Sequence, residues 1–247
     1  MPLRQRPCWG FLLAAAVSPG MARSFTASNL QLLYGHGFDD RVTGANTRGR
    51  DLGTVTFENL AVRDWGDSFL FVDVYRGALL DFGGARRGRS GLVYGEWDPR
   101  LSLAHLGGRE RGTGLLRDVF LAGQVNAGDD GFRAGLVGLG ADFNLPGFQS
   151  FGVNLYRRDD SFNAPTAQLT VFWTAALGER WLSEGFLDLA GTDHAGTDAM
   201  FQPRLLWDLG AALGEPRRWY AGIEWYYHHS GAVATSTPQL MLKAVLP

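Results

Sequence analysis

A set of side chains in this chain pairs flat rings with oxygen-rich groups at spacings that place them together. Phe71 and Asp73 are two residues apart, Asp118, Phe120 and Gln124 fall at even intervals, and Glu224 and Tyr226 repeat the pattern, with Tyr156 and Phe172 as further rings. On an extended strand, residues two apart share a face, so each ring stands beside a carboxylate or an amide. A ring face stacks a base or sugar, worth roughly 1–3 kcal/mol per base in single-strand binding. Carboxylates and amides beside it hydrogen-bond to hydroxyls. The chemistry is weak, reversible binding of a small polar solute. A plainer alternative is that these rings fill or stiffen a narrow interior.

Other chemistries are less well supported. His228-His229-Ser230 near Glu224 has the residue types of a nucleophilic hydrolase acting on lipid, but a triad requires mutual geometry that spacing alone does not provide. The histidines are scattered, and Asp129-Asp130 and Asp159-Asp160 read as loop acids, so no metal set and no cofactor site is expected. Arg86-Arg87-Gly88-Arg89 and Arg109-Glu110-Arg111 read as loop cations facing solvent or lipid phosphate. With a net charge of −2, no nucleic-acid partner is expected.

The elements that must position these groups are strands. Glycine supplies 34 of 247 residues and aromatics 13%. Glycine costs helices roughly 1 kcal/mol each, whereas twisted strands that pass close together make use of it. Alternation at period two recurs: Val119, Leu121 and Val125 oppose Asp118, Phe120, Gln124 and Asn126, and Leu169, Val171 and Trp173 oppose Gln168, Thr170 and Thr174. About twelve such segments are predicted, near 26–37, 51–61, 67–77, 90–103, 115–127, 131–143, 149–158, 166–177, 182–191, 200–211, 218–229 and 237–246. Turn-rich stretches such as Asp39-Asp40, Gly83-Gly84 and Pro146-Gly147 separate them.

The polar faces carry Asp118, Glu184, Asp188 and Glu224 among rings, and as a dry core these would be buried charges without evident partners. Turned toward a wet lumen they cost little, while the aliphatic faces meet lipid. Trp97, Trp181, Trp207 and Trp219, near strand ends, suit interfacial girdles. Ahead of the strands, Arg4 and Arg6, the short apolar run Trp9 to Val17 and Gly20-Met21-Ala22 have the layout of an export signal. The only cysteine, Cys8, lies inside it, so the rest of the chain closes without disulfides. The expected fold is all-β: a single antiparallel transmembrane β-barrel of about 12 strands over residues 23–247, preceded by a cleaved signal peptide over residues 1–22.

Several stretches resemble one family. Thr56 to Asp67 running into Phe69-Leu70-Phe71-Val72-Asp73, then Glu96-Trp97-Asp98-Pro99-Arg100-Leu101-Ser102, then Gly138-Leu139-Gly140-Ala141-Asp142-Phe143 with Val153-Asn154-Leu155-Tyr156, and finally Gly222-Ile223-Glu224-Trp225 are similar, in order and spacing, to the Tsx/OmpK family of nucleoside-specific outer-membrane channels. The chain departs from such barrels in ending Ala244-Val245-Leu246-Pro247, without a terminal aromatic residue. The resemblance implies an outer-membrane location and passive, non-enzymatic uptake of nucleosides or similar small polar solutes through a narrow lumen. Phe71, Asp73, Asp118, Phe120, Gln124, Tyr156, Phe172, Glu224 and Tyr226 are the candidate lining residues. Outer-membrane lipids, the barrel-assembly machinery and, for some family members, phage are the implied partners. Two other functions stay open at this point: a barrel enzyme acting on lipid through His228 and Ser230, and a receptor or structural barrel with a plugged lumen.

Overall fold

A computed structural model describes residues 24–38, 50–77, 91–192, 196–231 and 234–247. The expected signal peptide, Cys8, the turns at Asp39-Asp40 and Gly83-Gly84 and the Arg86-Arg87-Gly88-Arg89 cluster lie outside the described residues. The chain forms β1 (Phe25–Phe38), β2 (Arg50–Arg63), β3 (Gly66–Gly77), β4 (Gly91–Ser102), β5 (Leu116–Gly128), β6 (Arg133–Phe143), β7 (Ser150–Asp160), β8 (Thr166–Leu177), β9 (Trp181–Gly191), β10 (Thr197–Asp208), β11 (Trp219–His229) and β12 (Ala234–Val245). Each strand pairs antiparallel with the next, and β1 closes onto β12 through pairs such as Leu32 with Leu242. Closure leaves no sheet edge, as a backbone in lipid requires.

Two strands end earlier than periodicity predicts. Expected strand through 103 gives way to the helical turn α1 (Leu103–Leu106), and through 211 to α2 (Leu209–Ala212). The cause is capping: Ser102 Oγ accepts from the His105 amide at 3.1 Å, and Asp208 Oδ1 accepts from the Ala211 amide at 3.0 Å. Both side chains satisfy amides that a helix start otherwise leaves open. Between β8 and β9 the link is residues 178–180, where Gly178 takes φ 73°, a left-handed value that suits glycine.

The apolar face of the strands points outward. Leu30, Leu32, Leu121, Val137, Leu139, Leu155, Ile223 and Leu240 are exposed, a continuous belt that water would penalise and lipid accepts. Trp181 and Trp207 pair across β9 and β10 near the end of the barrel that holds both chain termini, as an aromatic girdle would. Trp97, Trp173 and Trp225 lie on the outer face and each donates its indole N–H to a serine on the adjacent strand: Ser68 at 2.7 Å, Ser183 at 3.1 Å and Ser236 at 3.1 Å. An indole N–H in lipid needs such a partner.

The two faces of β8 offer a direct test. Val171 sits between Val153 and Leu187 on the outer face, whereas Thr170 faces inward and donates to Asp188 Oδ1 at 2.5 Å. Val171→Arg is expected to cost about 2–4 kcal/mol, the range for a cation on the lipid face near mid-depth. Thr170→Arg places its charge beside a carboxylate and should fold with little loss. Urea-dependent refolding into lipid vesicles measures both, and the reverse ranking would invert the assignment of faces.

Candidate permeation path

The inner face is not an evenly wet tube. Inward side chains of β5, β6 and β7 (Phe120, Gln124, Asn126, Leu136, Asn154 and Tyr156 among them) are buried, and so are those of β11, β12, β1 and β2, including Glu224, Tyr226, Thr237, Gln239, Asn29, Gln31 and Thr56. Inward residues with partial exposure come mainly from two other arcs: Phe69, Phe71, Asp73, Tyr94, Glu96 and Asp98 on β3 and β4, and Thr170, Phe172, Glu184, Phe186, Asp188 and Gln202 on β8, β9 and β10. Going round the barrel, filled arcs therefore alternate with open ones. Side chains pack the interior from two sides and leave a slot between the β3/β4 wall and the β8–β10 wall.

One filled arc is held by Arg204. Its Nε donates to Glu224 Oε2 at 2.6 Å and its Nη1 to Glu58 Oε1 at 2.7 Å, with Glu184 Oε1 at 3.4 Å. Lys243 Nζ adds an ion pair to Glu184, Asn29 Nδ2 donates to Glu58 at 3.0 Å, and Gln239 Nε2 donates to Glu224 at 2.9 Å. β10 is thereby tied to β2 across three intervening strands. Glu184 and Glu224, which looked partnerless in sequence, meet Arg204 across neighbouring strands, and the Arg204–Glu58 and Lys243–Glu184 pairs reach further round the closed barrel.

The opposite filled arc turns on Arg100. Its Nε and Nη2 form a fork onto Asp67 at 2.8 and 2.7 Å, and Nη1 donates to Asp142 Oδ1 at 2.8 Å. Its guanidinium carbon lies 4.2 Å from the centre of the Phe120 ring and 4.9 Å from that of Phe172. Planar cations favour both the fork and the ring faces. Gly152, paired with Phe172, leaves the space: a Cβ there would stand 2.1 Å from Phe172 Cζ.

Along the β3/β4 wall the rings form a ladder. Phe69 and Phe71 have centroids 6.2 Å apart, Phe71 and Tyr94 6.0 Å, Tyr94 and Phe132 6.1 Å, and Phe132 and Phe162 5.4 Å. Phe162, in the β7–β8 connection, is exposed, so the ladder runs from the end of the barrel remote from the termini down into the slot. Carboxylates stand beside it. Asp73 accepts from Thr56 Oγ1 at 2.5 Å and Tyr75 Oη at 2.8 Å, and Glu96 accepts from Tyr94 Oη, Gln124 Nε2 and Asn126 Nδ2.

The nine expected lining residues thus divide. Phe71, Asp73 and Phe172 stand on the slot walls. Phe120 lies beneath the Arg100 guanidinium, Gln124 braces Glu96, and Asp118 accepts from Ser102 Oγ at 2.6 Å and pairs with Arg111. Glu224 is engaged by Arg204, Tyr226 packs on Phe38 at 5.4 Å, and Tyr156 is buried with Leu136. His228 points inward and meets Asp198 Oδ1 at 2.8 Å, away from the lipid side that the lipid-hydrolysis reading needs. Among the described residues no group of acids and histidines is arranged to hold a metal ion. Phe69, Tyr94, Phe132, Phe162 and Phe186 were not expected in the path; Phe132 and Phe162 lie in turns, where alternation carries no information.

Comparison with known proteins gives a family and a similar barrel fold. A family model described as nucleoside-specific channel-forming protein, Tsx, matches residues 38–170. Among solved structures, the KdgM porin in complex with disordered oligogalacturonate is similar in fold, with a TM-score of 0.50 at 7% identity, covering 90% of this chain and 100% of that one. A structure of the KdgM porin scores 0.49 at 7% identity, covering 90% and 100%. The outer membrane protein opdK from Pseudomonas aeruginosa scores 0.28 at 10% identity, covering 89% and 98%. No curated protein matches the chain in sequence.

Proposed function

From the premise that the chain belongs to the Tsx family of nucleoside-specific channel-forming proteins and is an outer-membrane channel for small solutes, we propose that its solutes are nucleosides or similar flat polar molecules, which descend the aromatic ladder of the slot. The observation that carries this reading is the run from Phe162 through Phe132, Tyr94 and Phe71 to Phe69, each ring within 6.2 Å of the next, flanked by Asp73 and Glu96. A base moves from ring to ring without leaving a stacking surface, and the carboxylates take ribose hydroxyls. Several weak sites in series bind without trapping, as conduction requires. Phe71, Asp73 and Phe172 contact the solute, whereas Asp118, Phe120, Gln124, Tyr156, Glu224 and Tyr226 hold the walls.

Block of ion current by added nucleoside, recorded on refolded protein in planar bilayers, tests the proposal. Phe71→Ala should weaken block by roughly 5- to 150-fold, which corresponds to losing one stacking contact of 1–3 kcal/mol. Tyr226→Ala should change block far less, because that ring packs on Phe38. Wild type that conducts ions but is blocked by no nucleoside would leave a channel of other specificity. Wild type that conducts nothing would favour a structural or receptor barrel, which the two filled arcs could also serve.

A further inference from the structure

The cations of the interior are committed. Arg204 and Lys243 serve Glu58, Glu184 and Glu224, Arg100 serves Asp67 and Asp142, and Arg158 pairs with Asp160 at 2.7 Å. Among the described residues, none of the ion pairs includes Asp73, Glu96, Asp98 or Asp188. Hydroxyls and amides hold three of these carboxylates in place: Thr56 and Tyr75 on Asp73, Tyr94, Gln124 and Asn126 on Glu96, and Thr170 on Asp188. These donors are neutral; the cation that acts on Glu96 and Asp188 from a distance is Arg158, whose ion pair is with Asp160.

A second observation concerns hydrogen-bond donors. The Asp98 Oδ1 atom is buried with no donor. Asn126 is 2% exposed and aimed at Glu96; its amide nitrogen is spent on Glu96 and Tyr94, and its Oδ1 is likewise buried with no donor. Oxygen acceptors therefore outnumber donors at this level of the slot, and a buried acceptor left without a donor costs about 1–3 kcal/mol. The acids also come from both walls. Asp188 on β9, held by Thr170, faces the interior from the β8–β10 wall, whereas Asp73, Glu96 and Asp98 face it from β3 and β4, strands that are not neighbours of β9 in the barrel.

We propose that this level of the slot is a cation-binding step, in which Asp73, Glu96 and Asp98 on one wall and Asp188 on the other admit monovalent cations and cationic solutes and turn anions back. Opposed carboxylates between low-dielectric walls concentrate cations, as acidic rings do in cation channels. The inference rests on the channel reading above but not on the identity of the nucleoside.

The test is the reversal potential of the full chain in a planar bilayer under a KCl gradient. K⁺ is expected to permeate about tenfold or more over Cl⁻, the low end of electrostatic focusing in charged clefts. Combining Glu96→Gln, Asp98→Asn and Asp188→Asn should bring that ratio toward one. If the triple variant does not refold, Asp98→Asn alone serves, because Asp98 Oδ1 takes no hydrogen bond that the change would break; it should give a smaller shift in the same direction. Wild type without preference or selective for Cl⁻ would overturn the proposal, as would an unmoved reversal potential in the refolded variant. Cation preference with no nucleoside block would sink the nucleoside reading alone, and block without cation preference would sink this one alone.

Discussion

Arg204→Met is expected to destabilise the barrel by about 3–5 kcal/mol, the range for removing one partner of a buried ion pair. Methionine keeps much of the length and loses the charge. Glu58, Glu184 and Glu224 would then share one cation, Lys243, whose bond is to Glu184. Glu224 and Glu58 would keep only amide donors from Gln239 and Asn29. Arg204→Lys should fall between, since an ammonium does not reproduce the fork that reaches Glu224 and Glu58 from separate nitrogens. The urea midpoint of refolding into vesicles measures the loss. Adding Glu58→Gln and Glu224→Gln to Arg204→Met should restore most of it, because the stranded charges leave with the arginine. A single variant as stable as wild type would mean that water already screens the network, and the filled arc would have to be read as part of the open path.

Much of the barrel was legible in sequence because alternation at period two is a local signal. It placed all twelve strands and sorted Leu121 outward from Gln124 inward without knowledge of a neighbouring strand. The helical turns after Ser102 and Asp208 were readable in principle, since both are good N-cap residues, but the apolar pattern running on past each concealed them. Partners were not legible. Whether Glu224 meets a cation depends on Arg204 one strand away and on register, and Glu58 meets the same guanidinium from the far side of β11, β12 and β1. The Trp–Ser pairs of the outer face depend on register in the same way.

Alternation also does not say how far an inward side chain lies from the opposite wall. That distance is set by the cross-section of the closed barrel, which decides that Phe71 lines open space while Phe120, on an equally inward position, is packed beneath Arg100. Residue types suited to binding therefore occur in both places. Only contacts separate the rings that line open space from the rings that hold a wall.

Arg100 shows how wall and path are coupled, and its replacement should separate stability from conduction. Its fork takes both oxygens of Asp67, a third nitrogen takes Asp142, and its guanidinium lies over the rings of Phe120 and Phe172. Arg100→Met strands two carboxylates and should cost about 3–5 kcal/mol, as expected for a broken buried pair. Arg100→Lys keeps the charge but gives up the fork and the stacked plane, so it should lose less. Adding Asp67→Asn and Asp142→Asn to Arg100→Met should recover most of the stability, because no charge is then left unpaired at the clamp. Nucleoside block should not recover with it. The guanidinium lies over the Phe172 ring and Gly152 leaves its edge room, so the cation is expected to seat the ring on the slot wall. Without the cation the ring is free to turn, and the stacking surface it offers is lost. Urea midpoints and nucleoside block recorded on the same three proteins read the two effects separately. Recovery of block together with stability would show that packing alone seats Phe172, and Arg100 would then be a structural residue of the wall with no part in the path.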